Sequence, residues 1–153
     1  MTKRRVVITG LGAVTPFGVG VDKFWNSLVE GKSGISTSEL IDISKHVVKI
    51  SGECKNFNPE EYLDPKEAKK MDRYIQFAVI AADEAIKDAK LEEVKDVDPY
   101  KIGVIVSSAA GGFRTFEENH VRILEKGPNK CSPFTIPMMI VNMASGRISM
   151  KYG

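Results

Sequence analysis

The sequence is poor in the residues that build disulfide scaffolds and metal centres. Its 153 residues include two cysteines and two histidines. Cys54 and Cys131 lie far apart in the chain, and neither belongs to a Cys-x-x-Cys pair. This pattern excludes a disulfide scaffold and a zinc site of the usual spacing, and it fits a reducing cytosol. We therefore expect a cytoplasmic protein that binds no metal.

Long hydrophobic runs and an excess of one charge are also missing. No apolar run approaches the roughly 18 residues of a membrane span. The apolar run near the start is interrupted at Thr9, Gly10 and Gly12, so it lacks the core of a signal peptide. The net charge of +2 gives no reason to expect a nucleic-acid partner. With 42% hydrophobic and 27% charged residues, the chain has the composition of one globular domain.

A short apolar segment followed by very small residues is the most informative stretch. Ile102 and Val104–Val106 predict a strand buried on both faces, as in a parallel sheet covered by helices. Ser107–Gly112 then has no side chain larger than a hydroxymethyl or methyl group. Such a stretch lets a ligand, another subunit or a packed helix approach the backbone. Ligands often bind at the carboxyl ends of such strands, although helix packing alone would also explain the small residues.

A second predicted strand, Arg5–Thr9, leads into two closely spaced glycines, Gly10 and Gly12. This beginning is similar to a dinucleotide-binding fingerprint, but the position of the third glycine is Thr15. Pro16 follows where a helix should already be running to receive a pyrophosphate. A tight turn is the better interpretation, and we expect no nucleotide cofactor.

The longest predicted helix, Asp64–Lys90, begins with Asp64 as its cap and Pro65 at its first position. Four cations recur at i, i+3, i+4 and i+7 of this helix, which would place them on one side. A helix start already carries partial positive charge, so cations there do not stabilise the helix. The pattern indicates a docking site for an acidic partner, or else an ordinary solvated face. The four residues are Lys66, Lys69, Lys70 and Arg73.

Further periodic segments predict three more helices and a strand. The helices are Val21–Glu30, Phe113–Lys126 and Met138–Met150, and the strand is His46–Glu53. The methionine-rich last helix would form either core or a pliable lining for an acyl chain. Glu117, Glu118 and His120 suggest acid–base chemistry, but no second histidine or cysteine lies near them in sequence.

Five stretches together resemble the amino-terminal part of the β-ketoacyl-[acyl-carrier-protein] synthase II enzymes, which elongate fatty acids in bacteria. The resemblance extends in order over all 153 residues and corresponds to somewhat over a third of such an enzyme. The stretches are Val6-Val-Ile-Thr-Gly-Leu-Gly-Ala-Val-Thr-Pro-Phe-Gly18, Lys69-Lys-Met-Asp-Arg73, Glu117-Glu-Asn-His120, Ser132-Pro-Phe134 and Val141-Asn-Met143.

The resemblance implies an α/β fold of the thiolase type, layered αβαβα, in a homodimer. Residues 1–153 would be most of the first half, with a mixed and mainly parallel sheet. It also implies a decarboxylative Claisen condensation, in which an acyl-enzyme thioester is attacked by the carbanion from malonyl-acyl-carrier protein. That chemistry needs no organic cofactor and no metal. The implied partner is the acidic acyl-carrier protein.

The resemblance also assigns residues. The nucleophilic cysteine of the family lies shortly after the helix that here ends at Tyr152, and two histidines lie much later. This segment would therefore contain no catalytic residue and would not condense substrates alone. Ala110, Gly111 and Thr135 match positions that line the acyl tunnel.

The docking assignment combines the resemblance with the spacing. The positions of Lys66, Lys69 and Lys70 belong to the carrier-docking surface of similar synthases, whereas Arg73 is included on helical spacing alone. Two other functions remain open. One is a non-catalytic module that docks a carrier protein, and the other is a thiolase-fold subunit with decarboxylase-like chemistry.

Overall fold

Helices account for most of the regular structure in the computed structural model, which describes residues 3–95 and 97–153. The chain divides into two compact units. The first unit contains the described residues up to Phe57 together with Ile80–Lys95. The second contains Asn58–Val79 together with the described residues after Lys95. The long helix α3 (Arg73–Asp88) contributes residues to both.

Among its described residues, the first unit contains two short antiparallel ladders, one α-helix of its own and a short 3-10 helix at Leu91–Glu93. Strands β1 (Val14–Thr15) and β2 (Gly18–Val19) form a hairpin, which leads directly into α1 (Val21–Val29). Strands β3 (Ser36–Thr37) and β4 (Ile50–Ser51) form the second ladder. Gly31 follows α1 with a φ of +67°, the left-handed conformation in which a glycine commonly ends a helix.

The glycines near the start allow the backbone to lie directly on α3. A Cβ at Gly12 would overlap the carbonyl oxygen of Ala81, and one at Gly10 would overlap that of Ala85. The neighbouring N–H groups are bonded to carboxylates of the same helix. Leu11 donates to Asp88 Oδ2 at 3.0 Å, and both Ala13 and Val21 donate to Glu84 at 2.9 and 2.8 Å. Close approach to a helix is therefore the role of these glycines.

We expect Gly12→Ala in the full-length protein to lower the free energy of unfolding by about 3 kcal/mol, the upper end of the range for overpacking. The physical reason is that the new methyl would meet a main-chain oxygen, which cannot rotate away. Gly103→Ala is the control, because a Cβ at Gly103 would meet no atom within 4 Å. Urea denaturation measures both, and equal midpoints would show that this close approach is not tight.

The second unit is helical. Besides the start of α3, it contains α2 (Pro65–Ala68), α4 (Phe113–Lys126), α5 (Thr135–Met139) and α6 (Met143–Tyr152). Helix α4 has the predicted bounds. The predicted cap is also confirmed, because Asp64 Oδ1 accepts the N–H groups of Lys66 and Glu67 at 2.8 and 3.1 Å. Ile75 and Val79 are fully buried in this unit, and Ala144 and Ile148 are buried to a similar degree.

The prediction of one helix over Asp64–Lys90 is wrong, because a turn at 69–72 separates α2 from α3. Asp72 starts the second helix by accepting the N–H of Tyr74 on its own carboxylate at 3.3 Å. The Gln76 side chain donates to the carbonyls of Ala68 and Met71 at the end of the first helix. Side chains thus satisfy the backbone groups that the break would leave without partners.

The predicted helix Met138–Met150 is likewise two helices, separated at 140–142. Helix α5 begins at Thr135, three residues before the predicted start at Met138. Pro137 is compatible with this because it lies in the first turn, where no intrahelical N–H donor is needed. The Thr135 hydroxyl donates to the carbonyl of Ser132 at 2.7 Å and closes the start of the helix.

The sheet differs from the mainly parallel one that was predicted. Within residues 3–95 and 97–153, the hydrogen-bonded strands form two antiparallel pairs, β1 with β2 and β3 with β4. Arg5–Thr9 and Ile102–Val106 are not hydrogen-bonded strands, and of the predicted His46–Glu53 strand only β4 forms. Val6 is 93% and Ile105 96% exposed. A run of β-branched residues indicates that a segment is suited to a sheet. The segment becomes a strand only when a neighbouring strand is there to accept its hydrogen bonds.

Candidate carrier-docking surface and acyl-pocket loop

Three of the four predicted cations lie on α2 and on the turn after it, which we call the docking segment (Lys66–Lys70). Lys66 and Lys69 are exposed, and Lys70 is half-buried. Among the described residues, no ion pair involves Lys66 or Lys69. Because α2 ends at Ala68, the continuous helical stripe that included Arg73 does not form. Arg73 instead places its guanidinium carbon 4.9 Å from the centre of the Phe77 ring, a cation–π distance.

Lys70 belongs to a small ion-pair network. Its Nζ lies 2.7 Å from Glu67 Oε1, and Arg147 Nη1 lies 3.2 Å from the other oxygen of that carboxylate. The hydrogen bond and charge of Lys70, with a smaller contribution from Arg147, lower the pKa of Glu67. Two cations and one carboxylate leave this network with a net positive charge. The whole docking segment is therefore positive.

An apolar cavity of about 350 Å³ lies beside the docking segment. Its walls come from the turn before α2, from α3 and from the last turns of α6. The apolar lining residues are Tyr62, Leu63, Met71, Val79 and Met150, and the charged ones are Asp64, Glu67, Arg147 and Lys151. The docking segment thus adjoins an apolar floor with a charged rim.

The small-residue stretch forms what we call the pocket loop (Ala110–Gly112), which lies against the end of α5. Gly111 has a φ of +64°, and its Cβ would overlap the carbonyl oxygen of Met139. A Cβ at Gly112 would overlap that of Met138, and the Gly112 N–H donates to Met139 at 3.0 Å. The sequence predicted that some group lies close to the backbone of this loop but did not identify it. In the structure that group is the end of α5. Ala110 itself is exposed.

Thr135 is buried at the other end of α5. Its hydroxyl is used locally, by the bond to Ser132 described above and by a 3.6 Å contact with Cys131 Sγ. The structure therefore brings Gly111 close to the end of the helix that starts at Thr135, while Ala110 is exposed. That these three residues meet an acyl chain stays a prediction.

Asp72 is a central residue of the second unit that the sequence analysis missed. It is 7% exposed, and its Oδ2 accepts the Thr115 hydroxyl at 2.5 Å and the Thr115 N–H at 3.1 Å. Asp72 therefore caps α4 as well as the start of α3. The available signal was its residue type, since aspartate favours the position before a helix, but the helical periodicity on both sides concealed it.

Tyr74 is a second residue that the sequence analysis missed. Its hydroxyl donates to the carbonyl of Ile140, directly after α5, at 2.5 Å. Burial raises the pKa of this tyrosine, and the nearby charge of Asp72 raises it further. The phenol therefore keeps its proton at neutral pH and remains a hydrogen-bond donor.

The residues that suggested acid–base chemistry are not assembled into a site. His120 is exposed and stacks on Phe116, with ring centroids 6.2 Å apart. Glu118 is paired with Arg114 at 2.7 Å, and Glu117 is exposed. Within residues 3–95 and 97–153 no three His, Cys, Asp or Glu side chains are grouped as a metal site would require. What the second unit offers is a positive surface and a tightly packed loop.

The fold is that of thiolase-type ketosynthases. A solved type II PKS acyl-carrier protein in complex with its ketosynthase (AntDE:AntF) matches 99% of this chain and 41% of that chain, with a TM-score of 0.78 at 22% identity. The ishigamide ketosynthase/chain length factor matches 97% of this chain and 37% of its own, with a TM-score of 0.78 at 24% identity. The α/β, thiolase-like prediction is confirmed.

The chain belongs to the β-ketoacyl synthase family, whose N-terminal domain model matches residues 3–153. It is 44% identical over 153 residues to 3-oxoacyl-[acyl-carrier-protein] synthase 2 of Synechocystis sp. and 45% identical over 150 residues to the Staphylococcus aureus protein of the same name. It spans 36% of the length of each of these relatives. In the described part of the chain, every helix is too short or too polar to cross a membrane.

Proposed function

We propose that the full-length protein elongates fatty acids by decarboxylative condensation of an acyl-enzyme with malonyl-acyl-carrier protein. The observation that carries the proposal is the identity of about 44% along this whole chain to enzymes named 3-oxoacyl-[acyl-carrier-protein] synthase 2. Residues 1–153 are, in this proposal, the amino-terminal part of the synthase domain. They contain no catalytic residue, and the reaction uses no organic cofactor and no metal.

The direct test is a condensation assay with the full-length protein, acyl- and malonyl-acyl-carrier protein. The expected product is the β-ketoacyl-carrier protein, which mass spectrometry identifies by the added two-carbon unit. Release of carbon dioxide without this product would favour the decarboxylase-like alternative. Carrier binding without either product would favour a docking module.

In this proposal the docking segment receives the acyl-carrier protein. Lys66 and Lys69 are exposed cations, and the neighbouring Glu67 network is positive overall. A positive surface raises the rate of encounter with an acidic partner without requiring a large dry interface, which suits a carrier that must leave again. The related ketosynthase solved with its acyl-carrier protein supports a partner of this kind. Arg73 is included as a flanking cation at the start of α3.

The acyl pocket is proposed to include Ala110, Gly111 and Thr135. We expect Ala110→Phe in the full-length protein to slow acylation by long chains about 5- to 160-fold and to spare short chains. The reason is the steric cost of about 1–3 kcal/mol for overfilling a pocket. Acylation rates measured against chain length check this. Ala109→Phe is the control, because Ala109 is an exposed neighbour of the same residue type. An equal loss at every chain length would contradict the assignment.

We also propose that the full-length protein is a cytoplasmic homodimer. Exposed apolar side chains along α5, α6 and the segment between them support an interface, among them Ile136 (58%), Val141 (47%) and Met150 (67%). We expect the isolated 153-residue chain to self-associate for the same reason. Analytical ultracentrifugation checks this, and a well-folded monomer at micromolar concentration would count against it.

A further inference from the structure

Asp72 and Tyr74 connect the docking segment to both sides of the pocket loop. They follow Lys70 by two and four residues, so they lie where the docking segment passes into α3. Neither is on the exposed docking surface, because Asp72 is buried and Tyr74 half-buried. Both side chains instead bind main-chain groups that flank the predicted acyl pocket.

Asp72 holds one side. Its Oδ2 accepts two hydrogen bonds from Thr115, in the first turn of α4, and α4 begins directly after the pocket loop. The same oxygen is close to the loop itself, since a Cβ at Gly112 would lie 3.0 Å from it. A buried carboxylate with these partners fixes the start of the helix and therefore the end of the loop.

Tyr74 holds the other side. Its hydroxyl donates to the Ile140 carbonyl at the end of α5, the helix that begins at Thr135. The two sides are also bonded to each other, because the Gly112 N–H donates to Met139. Three hydrogen-bonded connections thus set the separation of the loop and the helix.

We propose that Asp72 and Tyr74 are positioning residues for the acyl pocket, which hold the pocket loop against α5 and thereby set the acyl chain length that the enzyme accepts. The inference rests on the proposed function, since it takes the loop and α5 to be pocket walls. Neither side chain contacts the substrate; each acts through the backbone of a wall. Loss of one connection lets the walls separate and admits a longer chain.

The first measurement is independent of activity. In the full-length protein, Tyr74→Phe removes one hydroxyl and should make amides in 139–142 and 110–115 exchange about fivefold faster, as the loss of one hydrogen bond predicts. Amides of α1, in the other unit, should not change. Tyr100→Phe is the matched control, because Tyr100 is 98% exposed. Unchanged exchange in both segments would overturn the inference.

The second measurement is the chain-length profile of acylation with acyl-CoA surrogates. Tyr74→Phe should raise the ratio of long-chain to short-chain rates about threefold or more, with the KM for acyl-carrier protein within twofold of wild type. Asp72→Asn should keep part of the wild-type profile, since its amide oxygen still accepts from Thr115, whereas Asp72→Ala should lose it. If the variants lower the acylation rate by the same factor at all chain lengths, both residues have only a structural role and the inference is wrong. A wild-type protein that accepts no acyl group would instead refute the proposed function, and with it this inference.

Discussion

Charge reversal at Lys66 and Lys70 of the full-length enzyme is expected to raise the KM for acyl-carrier protein about 10- to 100-fold, the scale on which steering by charge changes association. Processing of a small acyl-CoA surrogate should be little changed, because the surrogate does not need the docking segment. The preference for the carrier should also fade as salt rises, since exposed charges are screened over about 8–10 Å at physiological ionic strength. Steady-state kinetics with both substrates, at low and high salt, measure the effect.

The Glu67 network refines the choice of variants. Lys70→Glu removes an ion pair and places a second carboxylate beside Glu67, which adds a local structural change. Lys66→Glu with Lys69→Glu avoids this, since no ion pair of the described residues involves either lysine. Lys87→Glu with Lys95→Glu makes the same change in net charge at exposed positions of the other unit. If all three double variants change the carrier kinetics equally, or if none of them does, the docking segment is an ordinary solvated surface.

The isolated 153-residue chain is expected to show no condensation of acyl- and malonyl-acyl-carrier protein, whereas the full-length protein is expected to condense them. Covalent catalysis needs a nucleophile and oxyanion donors in one site. The described residues bring together no histidine or cysteine pair that could serve, since His120 stacks on Phe116 and Cys131 lies beside Thr135. Mass spectrometry of the carrier-bound products measures the difference.

Two controls make this result decisive. Heat-denatured full-length enzyme sets the background rate, and circular dichroism of the isolated chain establishes that its helices are present. A folded chain with turnover above background would contradict the assignment of all catalytic residues to other parts of the protein. Binding of acyl-carrier protein by the inactive chain would additionally support the docking segment.

The sequence by itself determined the local elements whose signals are complete within a few residues. The bounds of α4 followed from its periodic apolar positions. The capping of α2 by Asp64 was predictable because the capping side chain and the N–H groups it accepts are neighbours in the chain. The family resemblance was also readable from the sequence, since five ordered stretches carry it. The exposed lysines of the docking segment needed no structure to be noticed, because their residue type and spacing are local facts.

Only the tertiary structure decided where the helices break and which segments pair. At the break at 69–72, Asp72 caps α4 by binding Thr115, which lies 43 residues further along the chain. A hydrogen bond between such distant residues leaves no periodic signal in the sequence. Strand pairing is similarly non-local, so Arg5–Thr9 and Ile102–Val106 had the composition of strands without forming ladders. The small residues before α4 indicated that some group lies close to the backbone there. They could not identify it as the end of α5, because which group lies there depends on the packing of residues distant in the sequence.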